Sequence, residues 1–205
     1  MTVPAGPPPA GAAHELLAAA VSYADLVLDA VGPQLLSRPT PCRAWDLRTL
    51  LEHAEESVAT LHEGVTEHRV ALIAPPAPAR PAVCPAAVLV AAFRQRAAAL
   101  LAASACADGD RPVTVGGYPL PADSLRATAA LEIAVHAWDI SQSCGQQLPI
   151  PDKQAAGLLA QARLLVPRLG RHPMFAAPVP PLARSTPSDR LAGYLGRPAG
   201  WASLV

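Results

Sequence analysis

The sequence has no surplus of charge of either sign: sixteen Lys and Arg residues cancel sixteen Asp and Glu residues in a chain of 205. Without net charge there is no long-range field to draw the protein to a polyanion, which argues against nucleic acid and anionic membrane as partners. Lysine is nearly missing, with Lys153 alone among fifteen arginines; this bias fits GC-rich coding better than any structural need. The four cysteines, Cys42, Cys84, Cys106 and Cys144, form no CxxC pair. Neither a zinc-finger pattern nor a redox motif is therefore visible, and a reducing cytoplasm is the natural setting. The opening MTVPAGPPPAGAA has neither the basic cluster nor the continuous apolar core of a signal peptide, and no run of about 18 apolar residues free of charge and proline follows. A soluble, cytoplasmic protein with no membrane partner is the expectation.

What is present is enough chain for one domain with a sizeable core. The Pro/Gly-rich residues 1–12 read as a disordered leader and 13–205 as a single domain. HELLAAAVSYADLVLDAVG carries Leu17, Val21, Ala24 and Leu28 at helical spacing and stops at Gly32-Pro33. TPCRAWDLRTLLEHAEESVATLHEG then reads as a turn, an N-cap at Asp46 and a helix running to Gly64. Residues 75–85 hold too many prolines for a helix and read as an extended connection. A third helix follows in AAVLVAAFRQRAAALLAASA, and RPVTVGGYPLP reads as a small hairpin or crossing loop around Gly116-Gly117. The spacing predicts a fourth helix from Ala122 to Cys144, a fifth after Pro151, and a short last one near SDRLAGYLG. Long helices with almost no strand make the fold class all-α, an antiparallel helical bundle.

The stretch LEIAVHAWD puts Glu132, His136 and Asp139 where a helix facing a core would hold leucines. At about 100° per residue, His136 lies roughly 40° to one side of Glu132 and Asp139 roughly 20° to the other, so the three share a stripe. Leu125 falls in the same stripe, Ile133, Val135 and Ile140 flank it, and the opposite arc is mostly alanine with Arg126. Stripping water from ionisable groups costs several kcal/mol, so a partner is required. A bound cation, a solvent-facing cleft, or a Glu–His–Arg hydrogen-bond network would each serve.

On the second helix His53 sits at the rim of the apolar arc, in line with Asp46, Ser57 and Thr60. That is a place for the lip of a cleft or for an ordinary hydrogen-bonded boundary residue. His62 points about 180° away on the same helix and reads as solvated, while His14, His68 and His172 read as surface residues. Cys42, just before this helix, reads as a packed thiol close to the cleft, with a supporting role beside a site as its functional alternative. Arg94, Arg96 and Arg126 are candidates to meet a substrate carboxylate, against the commoner reading of solvated helix arginines.

Two of these stretches resemble a known family. TPCRAWDLRTLLEH is similar to the second-helix signature of the mycothiol-dependent maleylpyruvate isomerase N-terminal family, within the wider DinB-like superfamily, and LEIAVHAWDISQSCGQ resembles its later Glu-x-x-x-His-x-x-Asp helix. The ending LAGYLGRPAGW resembles the tail of short, single-domain actinobacterial members, in contrast to isomerases that carry a further C-terminal domain. The resemblance implies a DinB-like four-helix bundle holding a divalent metal, zinc in the thiol-dependent members, on His53, Glu132 and His136, with Asp139 orienting a ligand or capping a neighbouring element. It implies mycothiol as cosubstrate and a small-molecule electrophile as its partner, in a metal-dependent thiol S-transferase or isomerase. A metal-dependent hydrolase and a non-catalytic metal- or ligand-binding protein are the alternatives. The alanine-rich faces leave a homodimer open.

Overall fold

In the computed structural model, residues 11–42, 45–71, 84–106, 111–167, 169–171, 175–198 and 200–201 are described. Apolar residues at every third or fourth position build helix α1, Ala12–Leu28, which buries Leu17, Ala20, Val21, Ala24, Val27 and Leu28 along one face. The helix thus begins inside the expected leader, the first ten residues of which lie outside the described residues. Asp46 caps helix α2, Leu47–Glu67, by accepting from the Thr49 backbone N–H at 2.9 Å and from the Thr49 hydroxyl at 2.7 Å.

Gly64, read as a helix stop, is instead a notch within α2. A Cβ there would lie 2.7 Å from Val70 Cγ2 and 3.0 Å from Leu125 Cδ2. The helix ends one turn later, where His68 takes the left-handed conformation at φ 52°. Most of the extended connection expected at 75–85 lies outside the described residues.

Helix α3, Ala86–Cys106, packs Leu89, Val90, Phe93, Ala97 and Leu100 into the core. Among the described residues it alone has the length and mean hydropathy, 1.5 over its most apolar window, to cross a membrane; it also carries Arg94 and Arg96. Helix α4, Ala122–Cys144, closes at Gly145 in the left-handed conformation, φ 77°, as its sequence predicts. Helix α5 spans Asp152–Leu165 and helix α6 Pro187–Tyr194.

Helices α1 and α2 each pack against both α3 and α4, which makes a ring of four, and α5 lies on α1 and α4 with α6 on α5. The fold is the DinB-like helical bundle that the resemblance implied. Helix α4 departs from the simple amphipathic pattern: of its 23 residues 17 are buried, including Ala127, Ala130, Ala134 and Ala137 on the arc opposite the polar stripe. That arc is buried within the bundle, where small side chains let neighbouring backbones approach.

The expected hairpin is present as strands β2, Val113–Val115, and β3, Tyr118–Leu120, joined by Gly116 and Gly117 at φ 57° and 89°. Two positive φ values are what a two-residue turn of matching twist needs. A third strand, β1 at Arg69–Val70, pairs parallel to β2 through Arg69↔Thr114 and Val70↔Val115. Two residues carry too little alternation to announce such a strand.

Helix α6 is specified at both ends. Thr186 and Asp189 form a reciprocal capping box with Pro187 in the first turn. At the other end Gly196 N–H donates to Gly193 O at 3.0 Å and Arg197 N–H to Ala192 O at 2.9 Å, the pair of bonds of a Schellman ending. Gly196 has φ 85°, and a Cβ on it would meet the Ala176 carbonyl oxygen at 2.8 Å. Gly117 also has positive φ but nothing within 4 Å of such a Cβ. Gly196→Ala should therefore destabilise by more than the ~1–2 kcal/mol that left-handed backbone alone costs an L-residue, and more than Gly117→Ala. Urea midpoints of the two variants compare them directly, and equal losses would mean that the Ala176 contact yields freely.

Candidate metal centre

The segment between α1 and α2 is pinned before it reaches the site. Arg38 Nη1 donates to Ser143 O at 3.2 Å, Ser143 Oγ to Pro39 O at 2.8 Å, and Thr40 Oγ1 to Cys42 O at 3.1 Å and Trp45 O at 2.9 Å. The Leu47 backbone N–H, at the start of α2, donates to Arg38 O at 2.9 Å. These bonds tie the segment to the C-terminal end of α4 and hold Cys42 and Trp45 over the polar stripe. They also satisfy backbone groups that would otherwise be buried unpaired.

The three residues predicted as ligands come together. His53 on α2 and His136 on α4 have ring centroids 5.1 Å apart with planes at 88°. His136 Nε2 lies 3.2 Å from Glu132 Oε2 one helical turn away. One ligand atom from each of His53, Glu132 and His136 falls within 4.8 Å of the others. Trp45 packs against His53 with ring centroids 4.3 Å apart, and Ser57 Oγ lies 3.3 Å from His53 Nε2. The Glu132 side chain is 30% exposed and the His136 side chain 9%, so the cluster sits at the edge of the core with one side open.

Asp139, the fourth predicted residue, has no exposure. Its Oδ2 lies 3.5 Å from His136 Nδ1, accepts from Arg197 Nη2 at 2.6 Å and accepts from the Cys42 thiol at 3.3 Å, while Oδ1 accepts from Arg197 Nε at 2.7 Å. Cys42 thus stands beside the cluster, as its place in the sequence allowed. Arg197 is the residue that sequence reasoning missed, 58 positions from Asp139 along the chain. Its signals are indirect: it falls within the family-like ending LAGYLGRPAGW, and a carboxylate on an apolar helix face demands a cation.

The other candidates go elsewhere. Arg94 pairs with Asp25 and Asp29, Arg96 with Glu55, and Arg126 is buried against Asp123 and Ser104. These bonds run to groups outside the cluster. Three of the histidines are half-buried in place of the surface setting expected. His14 Nδ1 lies 3.2 Å from Ser104 Oγ on α3, and His68 stands where the end of α2 meets β2, its carbonyl accepting from Thr114 N–H at 2.9 Å. His62, on the outer side of α2, is covered in part as well. His172 lies outside the described residues.

Electrostatics suit a dication. Burial, and then the charge of His136, hold the His53 pKa below its ordinary value, which favours the neutral imidazole a metal needs. Burial alone would lower His136 too, but Asp139, Cys42 and Glu132 outweigh it and draw the ring toward its protonated form. Burial would raise Glu132 and Asp139; His136 on the first, and Arg197 with His136 on the second, hold both below the usual carboxylate range. Two carboxylates against one guanidinium leave a net negative charge, which a proton on His136 or a metal ion would balance. His136 Nδ1 is buried and makes no hydrogen bond. Two imidazoles and a carboxylate are also the donor set of catalytic zinc sites. The residues fit a divalent metal.

The family model for the mycothiol maleylpyruvate isomerase N-terminal domain matches residues 16–141. Two uncharacterized proteins of Mycobacterium tuberculosis, from strains CDC 1551 / Oshkosh and H37Rv, are each 33% identical over 172 residues, covering 79% of this chain and 85% of the relative. No solved structure matches.

Asp139→Asn leaves the Arg197 guanidinium buried without its counter-charge and should lower the unfolding free energy by about 3–5 kcal/mol at neutral pH. Because the folded carboxyl titrates below its unfolded value, this contribution is complete above the unfolded pKa of about 4 and is lost as pH falls through the folded one. Urea unfolding of wild type and variant should therefore converge in acid; a constant gap down to strong acid would assign the loss to something other than the charge.

Proposed function

Because the chain belongs to the mycothiol maleylpyruvate isomerase N-terminal domain family, we propose that it is a divalent-metal-dependent thiol enzyme, an S-transferase or a thiol-assisted isomerase. In this reading His53, Glu132 and His136 hold the metal, zinc as the family resemblance implies, and mycothiol is the cosubstrate. The observation that supports it most is the approach of those three ligand atoms to within 4.8 Å of one another. Zinc bound there would supply a Lewis acid that favours the thiolate of a low-molecular-weight thiol at neutral pH.

The chain's own residues set the stage for that sulfur. Three protein ligands leave room for an exogenous one, the mark of a catalytic site. Trp45 packs against the His53 ring, and Asp139 faces His136 from behind, placed to orient it. The thiolate adds its electron pair to an electrophilic carbon of a small molecule. In a transferase a leaving group departs with its bonding pair and the sulfur stays. In an isomerase the adduct of a conjugated double bond rotates and expels the thiolate again, so the thiol is regenerated.

Elemental analysis of purified protein should find about one zinc per chain in wild type and almost none in His53→Ala or Glu132→Ala. Electrophile consumption should require added thiol. Unchanged metal in both variants would remove the proposed ligands, and turnover without thiol would replace the thiol enzyme by a hydrolase.

A further inference from the structure

On the other edge of the His136 ring from Glu132, a second group forms: one ligand atom each of Cys42, His136 and Asp139 lies within 4.8 Å of the others. A thiol, an imidazole and a carboxylate would by chemistry suit a second metal ion. That place already holds a cation. Arg197 sets Nε and Nη2 against the two Asp139 oxygens, at 2.7 and 2.6 Å, and Nη2 also lies 3.3 Å from Cys42 Sγ.

We infer that Arg197 is a positioning residue for the candidate metal centre, acting through Asp139 on His136. The inference rests on the metal reading above. By taking both oxygens of Asp139, the guanidinium fork fixes the carboxylate in plane and in register with His136 Nδ1, 3.5 Å away. Nδ1 is buried and has no other hydrogen-bond partner among the described residues, so Asp139 is the acceptor that an N–H at Nδ1 faces. With a metal bound between Glu132 and His53, a proton held at Nδ1 leaves Nε2, which lies 3.2 Å from Glu132 Oε2, to give its lone pair to that metal.

Two features make this a task for arginine at this place. The fork donates two parallel bonds, which the point charge of a lysine does not reproduce. The backbone that delivers it is fixed: the Schellman ending of α6 directs Arg197 inward, and its Nη1 donates to Leu195 O at 3.3 Å. Helix α6 is itself tied down by Ser188 Oγ, which accepts from Ile150 N–H at 3.1 Å. Arg197 lies beyond residues 16–141, the part matched by the family model, so the segment after α6 belongs to the site without being announced by that match.

The test compares zinc affinity, by competition with a chromophoric chelator at neutral pH, among wild type, His53→Ala, Arg197→Lys and Arg197→Gln, with urea midpoints of the metal-free proteins alongside. Affinity should fall about 10–100-fold in both Arg197 variants, measured on folded protein. Unchanged affinity in either folded variant overturns the inference, even if its urea midpoint drops, because a merely structural arginine would move stability alone. Nitrogen-15 spectra of the zinc-loaded wild type should show His136 coordinated through Nε2 with a proton on Nδ1; coordination through Nδ1 overturns the inference whether or not the variants fold. Failure of wild type to bind zinc at all would instead bring down the metal reading on which the inference stands.

Discussion

A carboxylate with no solvent exposure, Asp139, sits in the C-terminal half of the most buried helix of the bundle. Taking such a charge out of water costs several kcal/mol after relaxation, and an uncompensated one would not be tolerated. Its compensation draws in the rest of the molecule. Arg197 comes from the segment after α6, Cys42 from the segment before α2, and His136 from the preceding turn of α4. Asp139 gives these distant pieces, which their own hydrogen bonds also hold in place, one common meeting point.

The same constraint explains why the cluster has two faces. Toward the interior, guanidinium, carboxylate and thiol are bonded to one another. Toward the opening between α2 and α4, His53, Glu132 and His136 converge with fewer internal partners, and Glu132 keeps part of its side chain in solvent. Rigidity behind and an opening in front is the arrangement that positions ligands for a metal while leaving space for a further donor. The packing of α1, α2, α3 and α4 as a ring supplies the frame, and the alanine arc of α4 lets that frame close tightly.

Much of this was legible in the sequence because it is local. Helical periodicity, the Asp46 cap, Gly145 and the glycine pair of the hairpin each write their structure within a few residues. The stripe of Glu132, His136 and Asp139 follows from helix geometry alone, while joining His53 to it needed the resemblance to the family. Arg197 was not picked out: it lies within LAGYLGRPAGW, the ending that carries part of the family likeness, but its partner is 58 residues away and no local spacing joins the two. Gly64 misled for a related reason, since a glycine that makes room for Val70 and Leu125 looks in sequence like one that ends a helix. The burial of Arg126 and of the alanine arc likewise depends on which helices surround α4, information that periodicity does not hold.

The central claim is a metal held jointly by α2 and α4. Crystals grown with zinc and measured on both sides of the zinc absorption edge test it most directly. The account predicts an anomalous peak about 2.0–2.2 Å from a nitrogen of His53, an oxygen of Glu132 and a nitrogen of His136. A fully occupied zinc peak elsewhere, with none among these three side chains, would contradict it.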